Sequence, residues 1–114
     1  MRELQRIDAV KDSKAIAFEA AMSDKEASDK ATQCSVNLEA TYDGATWEHV
    51  AGYVNWQGGE VDHDGKPAKP SISVARDGQR EPKAYRVVTD AKADSTISVG
   101  KLEAAEVAAI EVRK

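Results

Sequence analysis

From Cys34 to Tyr42 the chain alternates with period two: Cys34, Val36, Leu38, Ala40 and Tyr42 are set against Ser35, Asn37, Glu39 and Thr41. That pattern predicts a strand with one buried and one wet face. Asp43-Gly44 then supplies a turn, because both residues tolerate positive φ. Residues 46–56 read as one or two further strands carrying Trp47, Val50, Val54 and Trp56, with Gly52 marking a bend or bulge. Short alternating strands follow at 71–75, 84–89 and 96–102, and a last one at 106–114, where a helix also satisfies the pattern. In 84–89 the period puts Tyr85 and Val87 on one face and Arg86 and Val88 on the other. Residues 57–70 hold three glycines and two prolines and form the longest predicted loop, of a length that points to mobility or function.

The first third has two readings. Alanine-rich 14–31 leans to helix by propensity. A strand at 15–20 is preferred, as an antiparallel neighbour for 34–42. Residues 1–14 are expected as an N-terminal arm, a candidate partner-binding segment, with 15–114 as one domain. Strands punctuated by Asp-Gly leave no room for helical crossovers, so the expected class is all-β. The expected architecture is an antiparallel β-sandwich or partly open β-barrel of about seven to eight short strands.

At 114 residues the chain is long enough for one domain with its own core. Its net charge of −4, with both signs interspersed, argues against a nucleic-acid surface. A single cysteine excludes an intrachain disulfide. Its place on the apolar face of 34–42 predicts a buried thiol. The opening MRELQRIDAV has no leader-like apolar run, and no stretch reaches the length of a membrane span. Synthesis in the cytoplasm and no membrane partner are the resulting expectations.

No nucleophile elbow, His-Glu-x-x-His or phosphate-binding loop is present, and a Cys34–His49 pair would require the thiol to leave its apolar face. No enzyme activity and no cofactor are expected. Asp62 and Asp64 before Gly65 are weak metal candidates. Lys66 and Pro67 occupy positions where a calcium loop needs further ligands. Trp47, just past a turn, is expected to plug the sandwich end as a structural anchor with Gly44 and Tyr85. Trp56, bordering the long loop, is the preferred partner-binding tryptophan, with Gln57, Glu60, Lys66, Lys69 and Arg86 as further contacts.

The segments 36–52, 84–88 and 95–99 resemble a family of small all-β proteins of tailed-bacteriophage virions: head-decoration, capsid-associated or tail-appendage modules. The resemblance is carried by Asp43, Gly44 and Trp47, by Tyr85, Arg86 and Val87, and by Ile97 and Val99. It implies a non-enzymatic virion protein that binds the capsid exterior and stabilises the shell. Its partners would be the major capsid protein or other virion proteins, with self-association as a further possibility. A carbohydrate-binding module of a tail appendage and a neck or tail ring subunit are the alternatives. Carbohydrate-binding sandwiches of the discoidin kind share a similar strand, turn and tryptophan.

Overall fold

A computed structural model describes residues 1–8, 15–75, 80–92 and 94–102. Within them the chain forms strands β1 (Arg2–Asp8), β2 (Ala15–Met22), β3 (Gln33–Thr41), β4 (Trp47–Gln57), β5 (Ser71–Ala75), β6 (Ala84–Thr89) and β7 (Ile97–Lys101). A single-turn helix α1 (Asp24–Ala27) follows β2. Two antiparallel sheets result, ordered β1-β6-β3-β4 and β5-β2-β7. They pack as an open β-sandwich and do not close into a barrel. The expected strand at 106–114 lies outside the described residues.

The inner faces follow the period-two pattern. Cys34, Val36, Leu38 and Ala40 of β3, with Tyr85 and Val87 of β6, meet Ile16, Phe18 and Ala20 of β2 and Ile72 of β5. Phe18, Val36, Leu38 and Val87 are wholly enclosed. Each large aliphatic or aromatic side chain so buried contributes roughly 1.5–3 kcal/mol of transfer free energy.

Two expectations about the first third change. Residues 2–8 form no arm outside the domain. They pair with β6 from Arg2↔Thr89 to Asp8↔Ala84, so β1 is the edge of the larger sheet. Strand β2 exists as expected but does not pair with 34–42. It is the centre of the other sheet, between β5 and β7. The helical reading of 14–31 survives only as α1, where Ser23 caps the turn. Ser23 Oγ accepts from Glu26 N at 3.3 Å and donates to Glu26 Oε1 at 2.8 Å, which fits the Ser-x-x-Glu spacing of a capping box.

Strand β4 is one strand, not two. Its pairing with β3 shifts register between Cys34 and Val36 and again between Leu38 and Glu39. At the first shift, Cys34 and Val36 face Trp56 and Tyr53, so β4 carries the extra residue, and Asn55 there has φ +56°. Bulges of this kind twist an edge strand and blunt its tendency to pair with another chain. Gly52 lies between the two shifts, opposite Asn37. A Cβ there would meet the Asn37 side-chain oxygen, so any larger residue would make that side chain move.

Candidate functional site

The outer face of the four-stranded sheet is built by register. Arg6 of β1 stands opposite Arg86 of β6, Arg86 opposite Glu39 of β3, and Thr41 of β3 opposite Trp47 of β4. These strands bring together residues far apart in the chain. Arg86 Cζ lies 4.3 Å and Arg6 Cζ 5.0 Å from the centroid of the Trp47 ring. Arg86 Nε donates to Glu39 Oε1 at 2.7 Å, and Arg6 Nη2 to Glu3 Oε1 at 2.7 Å. Glu3 Oε1 also lies 3.8 Å from Arg86 Nη1. The result is a chain Arg6–Glu3–Arg86–Glu39 laid around one indole. Arg86 and Glu39 are 26% and 19% exposed, so this pairing is partly shielded from solvent. Each guanidinium is held by a carboxylate and by the ring quadrupole at once.

The hairpin turn presents this tryptophan. Asp43 Oδ1 accepts from Ala45 N at 2.8 Å and Thr46 N at 2.7 Å, and from the Thr41 hydroxyl at 3.2 Å. Gly44, with φ +86°, donates its N–H to Thr41 Oγ1 at 2.9 Å. The Thr46 and Ala45 amides hold the Asp43 carboxyl far below the usual carboxylate range. A carboxyl depressed in the folded state stabilises the fold above the ordinary carboxylate pKa, and that stability is lost as pH falls toward the folded value. Asp43→Asn is therefore expected to lower the melting temperature at neutral pH and bring it closer to wild type in acid. A melting series from neutral to acidic pH checks this. At the same end of the sheet, on its inner side, Arg80 Cζ lies 3.6 Å from the Tyr42 ring centroid, and Arg80 Nη2 donates to Glu48 Oε2 at 2.6 Å.

The two tryptophans differ from the sequence expectation. Trp56, expected at a partner surface, is 1% exposed and packs in the core opposite Cys34. Trp47, expected to plug the sandwich end, lies half-buried on the outer face under the two arginines. Gly44 sits in the turn as expected, and Tyr85 is a core residue. Of the other expected partner contacts, Arg86 belongs to the outer-face cluster. Gln57, Glu60, Lys66 and Lys69 do not join it, because they lie at or beyond the far end of β4.

Gln57 and Glu60 fasten the long loop. The Gln57 side chain donates to Lys30 O at 2.7 Å. Glu60 accepts from the Tyr53 hydroxyl at 2.9 Å and from the Gln57 amide. The bond from the Tyr53 hydroxyl to Glu60 raises the phenol's pKa, with burial adding to it. Further along, Val61 bridges Pro67, and the Asp62 carboxylate accepts from Asp64 N at 2.8 Å and Lys66 N at 3.0 Å. The loop whose length pointed to mobility or function is thus tied at both its start and its tip. Asp62 caps a turn, and no group of three metal-ligating side chains occurs among the described residues.

The Cys34 thiol is buried, which raises its pKa. It pairs with Trp56 at one end of the β3–β4 ladder, while exposed His49 pairs with Glu39 toward the other. Cys34 forms part of the wall of a cleft of about 180 Å³ at the sandwich end, together with Thr32, Gln33, Lys92, Ser95 and Ile97.

Sequence reasoning missed Arg6, Glu3 and Glu39 as members of the site. One signal was present for Trp47: a hairpin closing through 42–46 pairs Trp47 with Thr41, which the alternation had already placed on the wet face. Comparison with models of known protein families, with curated proteins and with solved structures finds no significant match to this chain.

Proposed function

We propose that this protein is a non-enzymatic structural module of a tailed-bacteriophage virion. It docks on the capsid exterior through the outer face of its four-stranded sheet and stabilises the assembled shell. The observation that carries the docking surface is Trp47, held on the outer sheet face by Arg6 and Arg86. Tryptophan and arginine are the residues that most often dominate binding energy at protein interfaces. Here both guanidinium groups are already oriented by Glu3 and Glu39, so less side-chain freedom is lost on docking. The virion assignment rests on the resemblance of 36–52, 84–88 and 95–99 to small all-β proteins of tailed-bacteriophage virions.

A shell offers many identical sites, so modest affinity at each suffices once neighbours also touch. Binding only the assembled state would raise the shell's stability by mass action. The test is to add the purified protein to capsids that lack it, sediment them, and heat them. Co-sedimentation with a raised disruption temperature is the expected result. Capsids that neither retain the protein nor gain heat resistance would overturn the decoration role. The carbohydrate reading is less favoured: the Trp56 ring is enclosed, and guanidinium groups already lie over the Trp47 ring where a sugar would stack.

A further inference from the structure

Two Asp-Gly steps lie within the described residues, Asp43-Gly44 and Asp64-Gly65, and the fold treats them oppositely. Asp-Gly is the dipeptide in which a backbone amide most readily attacks the preceding side-chain carboxyl, since glycine offers no Cβ to hinder it. We propose that Asp64-Gly65 is a site of spontaneous isoaspartate formation, and that the hydrogen-bonded turn at Asp43-Gly44 protects the other step.

The reaction needs only water. The Gly65 amide nitrogen attacks Cγ of the Asp64 carboxyl group in its protonated form. An N–Cγ bond forms, and the amide proton leaves with the carboxyl hydroxyl as one water molecule. The resulting succinimide then takes up one water. Opening at the main-chain carbonyl leaves the chain running through the former side chain, with no net change in mass and no oxidation or reduction.

For Asp43 this path is blocked. Its carboxylate is aimed at the Ala45 and Thr46 amides and at the Thr41 hydroxyl, while the Gly44 amide that would have to attack donates to Thr41 Oγ1. Ring closure would break all of these bonds. The Asp64 side chain is 65% exposed, and its carboxylate meets only the exposed His63 ring, 3.5 Å away, among the described residues. The Gly65 amide makes one bond to give up, to Asp62 O at 3.0 Å. Beyond its two chain neighbours, nothing lies within 4 Å of where a Gly65 side chain would begin, so no other part of the chain packs against Gly65 on that side. The product adds a backbone atom to the Asp62–Lys66 turn, which disrupts the bonds from Asp64 N and Lys66 N to the Asp62 carboxylate.

The test is prolonged incubation of the full chain at physiological temperature and neutral pH. Proteolytic peptides are then labelled with an isoaspartate-specific carboxyl methyltransferase and resolved by mass spectrometry. Conversion at 64–65 is expected to run about tenfold or more ahead of 43–44 in the folded protein. In strong denaturant the two steps should convert at similar rates. Asp64→Glu, which would need a larger ring, should abolish the signal at that peptide while leaving the melting temperature near wild type. No conversion at 64–65, or equal conversion at both steps in the folded chain, would overturn the proposal. The peptide map keeps Asp77-Gly78, which lies outside the described residues, separate from both.

Discussion

Gly58→Ala is expected to destabilise the protein by about 3 kcal/mol or more, the largest effect of any single added methyl group in the described chain. A Cβ at this position would overlap the carbonyl oxygens of Glu26 and Asp29, which are backbone atoms and cannot swing aside. Gly58 and Gly59 join the end of β4 to the turn after α1: Gly58 N donates to Thr32 O at 2.8 Å and Gly59 N to Ala27 O at 2.6 Å. The methyl group would push these segments apart and strain both bonds. Two other glycines calibrate the result. Gly65 has open space around it but φ +78°, so alanine there should cost about 1 kcal/mol. Gly100 meets nothing and has no positive φ, so alanine should be neutral. Urea unfolding of the three variants checks the order. A Gly58→Ala protein as stable as the Gly65→Ala one would show that the packing of the 57–59 turn on α1 is wrong.

Trp56→Ala is the second large effect, expected at about 3–5 kcal/mol, because a fully enclosed indole would leave a cavity between the sheets. Domains of this size are stable by roughly 5–15 kcal/mol, so much of the margin would go. Trp47→Ala should cost only about 1 kcal/mol, since that ring is half-exposed and loses mainly its contacts with Arg6 and Arg86. Fluorescence separates the two rings. In Trp47→Phe the remaining emission should be blue-shifted and poorly quenched by iodide. In Trp56→Phe it should be red-shifted and readily quenched.

The contrast between these tryptophans shows what the sequence held. Alternation in 34–42 correctly assigned Cys34, Val36, Leu38 and Ala40 to the core, and the same period separated Tyr85 from Arg86. Nine positions separate Trp47 from Trp56, an odd spacing that puts them on opposite faces of a regular strand. Each of the two register shifts in the β3–β4 ladder adds one residue to β4, and an even total leaves that parity intact. Proximity to the long loop was a weaker guide to exposure than pairing with Cys34.

Non-local pairing was not legible. That β6 inserts between β1 and β3 depends on packing across the whole domain, and this insertion alone sets Arg86 between Arg6 and Glu39. Strand β2 was recognisable by its apolar residues, but its neighbours were not. They are fixed by the second sheet, whose strands are far from it in the chain. The long loop misled for a local reason. Its length read as mobility or function, and nothing in the pattern showed that Gln57, Glu60 and Asp62 spend their polar groups on fastening it.

The outer face of the four-stranded sheet is the proposed docking surface. The deciding measurement is co-sedimentation of Trp47→Ala with undecorated capsids, beside wild type and a control altered at the far end, Lys69→Ala. Circular dichroism and melting would confirm that all three proteins are folded. The account predicts that Trp47→Ala loses about tenfold or more in affinity, as expected for an interfacial tryptophan, while Lys69→Ala binds as wild type. Trp47→Ala binding as tightly as wild type, with the fold intact, would contradict it.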